Sequence, residues 1–148
     1  MAAQAVEELR PTRGGDLWAA TVHRRSPLIE AFTAEMAQSD RLVVVGTVDE
    51  ALAGYGVVRE EMLNDGRPLG VVEDLYTEPT ARGVGVGEAM MNLLVAWCRE
   101  RHCIGIDAVA LPGNRATKNF FETFGLTARA IVVHRSLEQD QGKEGEAP

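Results

Sequence analysis

The run Arg82-Gly83-Val84-Gly85-Val86-Gly87 places three glycines at alternate positions directly ahead of a long amphipathic stretch. A loop with so few side chains lets backbone amides approach a ligand closely. At a helix N-terminus, where the dipole is positive, that chemistry suits a pyrophosphate. Spacing narrows the choice. A Walker loop needs Gly-x-x-x-x-Gly-Lys-Ser/Thr, and the segment holds no lysine. A dinucleotide loop needs Gly-x-Gly-x-x-Gly, but its last glycine falls on Met90 or Glu88, depending on the register. What remains is Arg-x-x-Gly-x-Gly, carried by Arg82, Gly85 and Gly87.

The elements that must position this loop follow from pattern. Ala5–Arg10 reads as a first strand, closed by Pro11 and Gly14-Gly15. Asp16 reads as the N-cap of a helix to about Arg25, and Pro27 as the first turn of a second one through Ile29, Phe32, Met36 and Ala37. Residues 41–48 are apolar and β-branched, a strand that turns at Asp49-Glu50 into a partner at Leu52–Arg59. A polar loop with Asn64-Asp65-Gly66 leads to a strand at Val71–Thr77. Beyond the glycines, Val86, Met90, Leu93 and Trp97 keep the spacing of one helix face, with Arg99, Arg101 and His102 in the last turn. A strand at Ile106–Leu111 ends at Pro112-Gly113. Asn114 then caps a short helix bearing Phe120, Phe121 and Phe124, and Gly125 closes it. Thr127–Leu137 reads as the final strand.

Two segments carry a family likeness. Glu73-Asp-Leu-Tyr-Thr-Glu-Pro-Thr-Ala-Arg-Gly-Val-Gly-Val-Gly87 resembles the acetyl-CoA-binding motif of the GNAT superfamily of N-acetyltransferases. Asn114-Arg-Ala-Thr-Lys-Asn-Phe-Phe-Glu-Thr-Phe-Gly125-Leu is similar to that family's Asn-x-x-Ala-x-x-x-Tyr-x-x-x-Gly-Phe pattern. Together they are far more specific than either alone. The close likeness spans residues 71–126. It implies an α/β (α+β) fold: a mixed, mostly antiparallel sheet flanked by helices, whose fourth and fifth strands splay to admit the cofactor. It also implies that Leu75, Tyr76 and Thr77 offer backbone groups to the pantetheine arm. Gly83, Val84, Gly85, Val86, Gly87 and Glu88 would surround the pyrophosphate, with Arg82 adding charge or shaping the loop. Asn114 and Phe121 would line the acetyl end.

Transfer from acetyl-CoA to an amine requires that an ammonium first lose a proton, to a carboxylate directly or through water. Glu73 is the first candidate base; its Glu-Asp-Leu-Tyr setting resembles spermidine/spermine acetyltransferases. Regular alternation would turn Asp74 to the opposite face, and a bulge would reassign both. The alternative is a glutamate that holds structure or substrate charge. Phe121 departs from the family, which commonly has a tyrosine there to protonate the leaving thiolate. Phenylalanine has no proton to give. Tyr76 or a water serves instead, or the thiol, with a pKa near ~8.5, leaves unaided. Otherwise the domain binds acyl-CoA as a regulatory or interaction module with little transfer. A nucleotide-phosphate binder is the third reading.

Composition bounds the partners. At 148 residues, 45% apolar and 25% charged, the chain suits one domain over residues 1–137, burying roughly 70% of its unfolded surface. Net charge is −7, of which the tail 138–148, with four acids and one lysine, holds −3. That tail has no apolar pattern and reads as disordered. Without a basic face, nucleic-acid binding is disfavoured. No signal peptide or membrane-spanning run is expected, and a cytoplasmic location is the default. His23, His102 and His134 lack metal-ligand spacing, and Cys98 and Cys103 lack redox spacing, so neither a metal nor a disulfide is expected. Trp18 and Trp97 read as core or interface anchors. Glu60, Glu61, Asp65, Glu73, Asp74 and Glu78 against Arg67 suggest a cleft attractive to cationic or peptide amines, or simply a solvated loop. A homodimer through the last strand or the first helices is compatible with the family.

Overall fold

The computed structural model describes residues 1–22, 24 and 27–138. His23, Arg25 and the acidic tail beyond Glu138, on which several sequence expectations fall, lie outside them. The order is α1 (Ala2–Leu9), α2 (Gly15–Val22), α3 (Leu28–Met36), β1 (Arg41–Val48), β2 (Ala51–Met62), β3 (Pro68–Thr77), a 3₁₀ turn (Pro79–Ala81), α4 (Val86–Glu100), β4 (Ile106–Ala108) and α5 (Arg115–Thr123). The sheet runs β1-β2-β3-β4, antiparallel through β3 and parallel between β3 and β4. This is the mixed sheet with flanking helices that the motifs imply. The splay falls between its third and fourth strands, because the expected first strand is absent.

That first strand is the main correction. Ala5–Leu9 belongs to helix α1, with Arg10 as its C-cap, and the helix buries Ala5 and Val6. The segment Ala-Ala-Gln-Ala-Val-Glu-Glu-Leu is rich in strong helix formers with one β-branched residue, so local propensity makes it a helix where the element order had suggested a strand. Helix α2 starts at Gly15, which puts Asp16 in its first turn rather than at its cap. Pro27 occupies the N-cap position of α3. The β1–β2 turn does form at Asp49-Glu50, both residues taking positive φ.

Helix α4 covers one face of β1, β2 and β3. Its buried residues are Val86, Met90, Met91, Leu94 and Cys98. Leu93, expected on the inner face, is 54% exposed, because the packed stripe repeats every four residues and leaves position 93 outside. These side chains meet Val44, Ala53, Val58, Val72 and Phe121 in one core. Full burial of each large aliphatic side chain contributes roughly 1.5–3 kcal/mol. Gly54 allows the close approach: a Cβ there would stand 2.6 Å from the Tyr76 carbonyl oxygen and 2.8 Å from Met90 Cε. On the opposite face Tyr55 is buried, its ring edge-on to Phe32 of α3 at 5.7 Å.

The C-terminal half departs twice from pattern. Strand β4 ends at Ala108, three residues before the expected Leu111. Thr127–Leu137 forms no strand, and Ile131, Val132 and Val133 are 86%, 93% and 88% exposed. Strand propensity is realised only against a partner edge. Arg129 pairs with Asp107 of β4, but through side chains and not through a backbone ladder. Helix α5 is as expected: Asn114 Oδ1 accepts from the Thr117 amide at 3.1 Å, and Gly125 takes φ +82° just past the end.

Candidate active site

The glycine loop meets α4 as its spacing requires. Gly83 and Gly85 have φ of +82° and +92°, and a Cβ on either would meet nothing within 4 Å. Backbone conformation demands these glycines, and the space beside them is open. Gly85 is the N-cap, and the Ala89 amide is the first to bond back, to Gly85 O at 3.0 Å. The amides before it are the orphan donors of a helix start. An anionic pyrophosphate fits such a cradle. Val86 contributes its amide alone, since its side chain lies in the core, while Val84 is 65% exposed. Gly87 abuts Thr77 and Phe120, and Glu88 lies in the first turn of α4.

Arg82 is engaged elsewhere. Its guanidinium grips both oxygens of Glu8 on α1, at 2.7 and 2.8 Å, and its Nε donates to Thr77 O at 3.0 Å. It also lies 5.7 Å from the centre of the Tyr76 ring. This geometry favours shaping of the loop over direct charge. Burial raises the Tyr76 hydroxyl pKa, with Glu78 and Glu8 adding to it, so the phenol keeps its proton at neutral pH.

Strand β3 carries a bulge at Glu73. Val57 pairs with Asp74 and Val58 with Val72, leaving Glu73 as the extra residue. Two consecutive carboxylates consequently line one cleft. Glu73 Oε2 accepts from Arg41 Nη1 at 2.7 Å, and Oε1 pairs with Arg59 Nε at 2.9 Å. Asp74 pairs with Arg24, and its Oδ1 accepts from the Tyr55 hydroxyl at 3.3 Å. Arg24 Nε also donates to Glu35 Oε1 at 2.7 Å. Burial opposes the Arg24 charge, but Glu35 and then Asp74 outweigh it and raise its pKa. Burial, then Asp74, likewise raises the Tyr55 pKa.

The cleft measures about 400 Å³. It brings together Glu73, Leu75, Tyr76, Asn114 and Phe121 from the sequence reading with Trp18, Arg24, Glu35, Arg41, Tyr55 and Arg59. Strands β3 and β4 pair only along Gly70–Val72 and Ile106–Ala108. Among the described residues no strand pairs with β3 on this side beyond Val72, which leaves that backbone edge open at Leu75, Tyr76 and Thr77. Thr77 connects this edge to the glycine loop through Arg82. The cleft reaches Leu75 and Tyr76, the cradle is tied to the next residue, Thr77, through Arg82, and these residues fit acetyl-CoA.

The arginines are what sequence reading missed. Their signal was indirect, since a carboxylate facing a cleft needs partners, and Arg41 opens β1 while Arg59 lies near the end of β2. Much of the expected acidic rim is paired: Glu60 with Arg101, Glu61 with Arg59 and Asp65 with Arg67. Trp18 lines the cleft, and Trp97 packs beside the core under Arg101. Cys98 and Cys103 lie at the far end of α4, both free. Among the described residues no helix is long and apolar enough to cross a membrane.

A sheet opened between parallel strands, with a glycine cradle at one end, defines a CoA-dependent acyltransferase fold. The chain matches the model of the acetyltransferase (GNAT) family over residues 4–126, and it belongs to that family. It is therefore an acetyltransferase of the acetyl-CoA-using type. No curated protein matches it. Solved structures share the fold at low identity. The aminoglycoside 6'-N-acetyltransferase AAC(6')-IG from Acinetobacter haemolyticus is 17% identical, with TM-score 0.63, covering 75% of this chain and 79% of its own. AAC(6')-Iy, solved with the bisubstrate analogue CoA-S-monomethyl-acetylneamine, is 16% identical, with TM-score 0.67, covering 90% of this chain and 92% of its own. A transcriptional regulator from Bacillus halodurans is 19% identical, with TM-score 0.68, covering 92% and 93%.

Proposed function

We propose that this protein transfers acetyl from acetyl-CoA directly to a primary amine, both substrates being bound together in the cleft. One observation carries the reading: the bulge in β3 brings Glu73 and Asp74 into one cleft, on the strand whose Thr77 end is tied through Arg82 to the open glycine cradle at α4. Acetyl-CoA supplies the activated thioester. The amides of residues 83–88 hold its pyrophosphate, and Leu75, Tyr76 and Thr77 hold the pantetheine arm. Glu73 takes the proton from the incoming ammonium, directly or through water. Its two arginine contacts occupy two of the roughly four acceptor positions of a carboxylate, leaving room for that role. Asp74, brought round by the bulge, is the nearest substitute. Asn114 and Phe121 border the acetyl end, and Tyr76 is the protein's own candidate for returning a proton to sulfur.

Direct transfer is favoured over a covalent acyl-enzyme because no cysteine or serine appears among the described cleft residues. The second reading is a binding module with little turnover. Phe121 at the acid position and the regulator among the similar folds keep it in play. Calorimetric titration with acetyl-CoA, CoA and ATP, followed by thiol release across an amine panel, separates the two. Micromolar CoA binding with amine-dependent release supports transfer. CoA binding without release on any amine supports the module, and ATP binding as tight as CoA binding rejects both.

A further inference from the structure

The charges in the cleft are sorted into two clusters of opposite sign. Around Glu73 stand Arg41 and Arg59, two guanidiniums on one carboxylate. Their other partners, Glu61 on Arg59 at 3.1 Å and Asp40 on Arg41 at 3.9 Å, are about half-exposed rim residues that do not line the cleft. Gln38 accepts from Arg41 Nε at 2.9 Å. Around Arg24 stand Glu35 and Asp74, two carboxylates on one guanidinium, with side chains only 11–14% exposed. Among the described residues Glu35 Oε2 is buried without a hydrogen-bond partner. Residues 73 and 74 are consecutive, with Cα atoms about 3.8 Å apart, so the two clusters adjoin.

Resting on the transfer reading of this same site, we propose that the acceptor is a zwitterion: an amine that also carries a carboxylate, with α-amino acids the smallest members. The Arg41–Arg59 pair receives the carboxylate, and the Glu35–Asp74 side attracts the ammonium. Each guanidinium has five donors, and the contacts above leave several for a ligand. A planar carboxylate is the group that such forks match best. A polycation would gain at Glu35 and Asp74 but would meet two guanidiniums a few ångströms away. A neutral amine would leave both clusters as they are. Trp18, Tyr55 and Leu75 add apolar wall for a side chain.

The test uses the unmodified protein and matched acceptors that differ only in the carboxylate: leucine and leucinamide, β-alanine and its amide, 6-aminohexanoate and its amide, with 1,4-diaminobutane as the dication. Thiol release from acetyl-CoA and calorimetric binding to the CoA-loaded protein are both measured. In at least one pair the acid should exceed the amide about tenfold or more in kcat/KM or affinity, the scale of one charge-assisted contact. Arg59→Gln should erase that preference. Release with equal use of acid and amide in every pair, or with preference for the diamine, overturns the zwitterion proposal and leaves transfer standing. Binding of an acid over its amide without any release keeps the zwitterion site and rejects transfer. Neither binding nor release with any probe overturns both.

Discussion

Arg41 and Arg59 stand directly opposite one another in the β1–β2 ladder, and both guanidiniums close on the single carboxylate of Glu73. Like charges in register across a sheet repel. The bulge in β3 resolves this by turning an acidic side chain toward both. The site is thus built from three adjacent strands, with the charge pattern set by register.

Replacing Glu73 by Gln tests both of its duties. Loss of a general base should lower amine-dependent thiol release by about 10²–10⁴. Leaving the two arginines without their shared anion should also lower stability by about 1–3 kcal/mol. Kinetics and urea melts on the same preparation separate these effects. A variant that stays folded and loses less than about tenfold in rate assigns Glu73 to charge balance only.

Gly85 and Arg82 should behave very differently. Gly85→Glu forces a side chain into the αL region, at a cost of about 1–2 kcal/mol, and sends a carboxylate into the open cradle. CoA affinity should fall by about tenfold or more, since one repelled phosphate contact is worth at least one charge-assisted hydrogen bond. Arg82→Gln breaks the pair with Glu8, whose side chains are 47% and 41% exposed. Such pairs are worth about 0–1 kcal/mol, so melting and CoA affinity should shift little. Titration calorimetry on the two variants checks the contrast, and an equal loss in both would place Arg82 on the pyrophosphate.

Phe121→Tyr restores a hydroxyl at the position where the family commonly donates a proton. The side chain is only 8% exposed and borders the cleft. If protonation of the departing thiolate limits the rate, kcat should rise by up to about tenfold. The gain should be largest with weakly basic amines, which are the slowest to expel the thiolate. An unchanged kcat together with unchanged CoA affinity would mean that a proton from position 121 does not limit the rate, leaving Tyr76, water or unaided departure of the thiol.

Cys98 offers a pH test independent of the site. Burial, with smaller contributions from Cys103 and Glu60, pushes its thiol up to about 12 from the usual 9.0. A folded pKa above the unfolded one gives stability that is complete below pH 9 and is lost as pH climbs toward 12. Urea midpoints should therefore decline over that window, and the decline should be shallower in Cys98→Ala. Thiol reagents at pH 8 should modify Cys103 first and spare Cys98. Rapid modification of both thiols would contradict the burial.

Much of this protein is decided locally. The glycine spacing of Arg82–Gly87, the Asn114 cap, the Gly125 stop and the β1–β2 turn form where the residues place them, because each depends on a few neighbouring dihedrals and hydrogen bonds. Short segments were less legible. Ala5–Arg10 is too short for its pattern to decide, and the alanines and glutamates of Ala2–Leu9 settle it as helix. Thr127–Leu137 has strand composition but no ladder, because pairing depends on an edge that composition cannot report.

By itself the sequence determined the acetyl-CoA motif, the order of the central elements and the absence of a tyrosine at position 121. Only the tertiary structure decided which charges share the cleft. One extra residue in β3 reverses side-chain direction, so Glu73 and Asp74 face together instead of apart. Arg24 between α2 and α3, Arg41 of β1 and Arg59 of β2 then reach them. Ion pairs between residues distant along the chain are set by strand register and helix packing, and no local pattern encodes them.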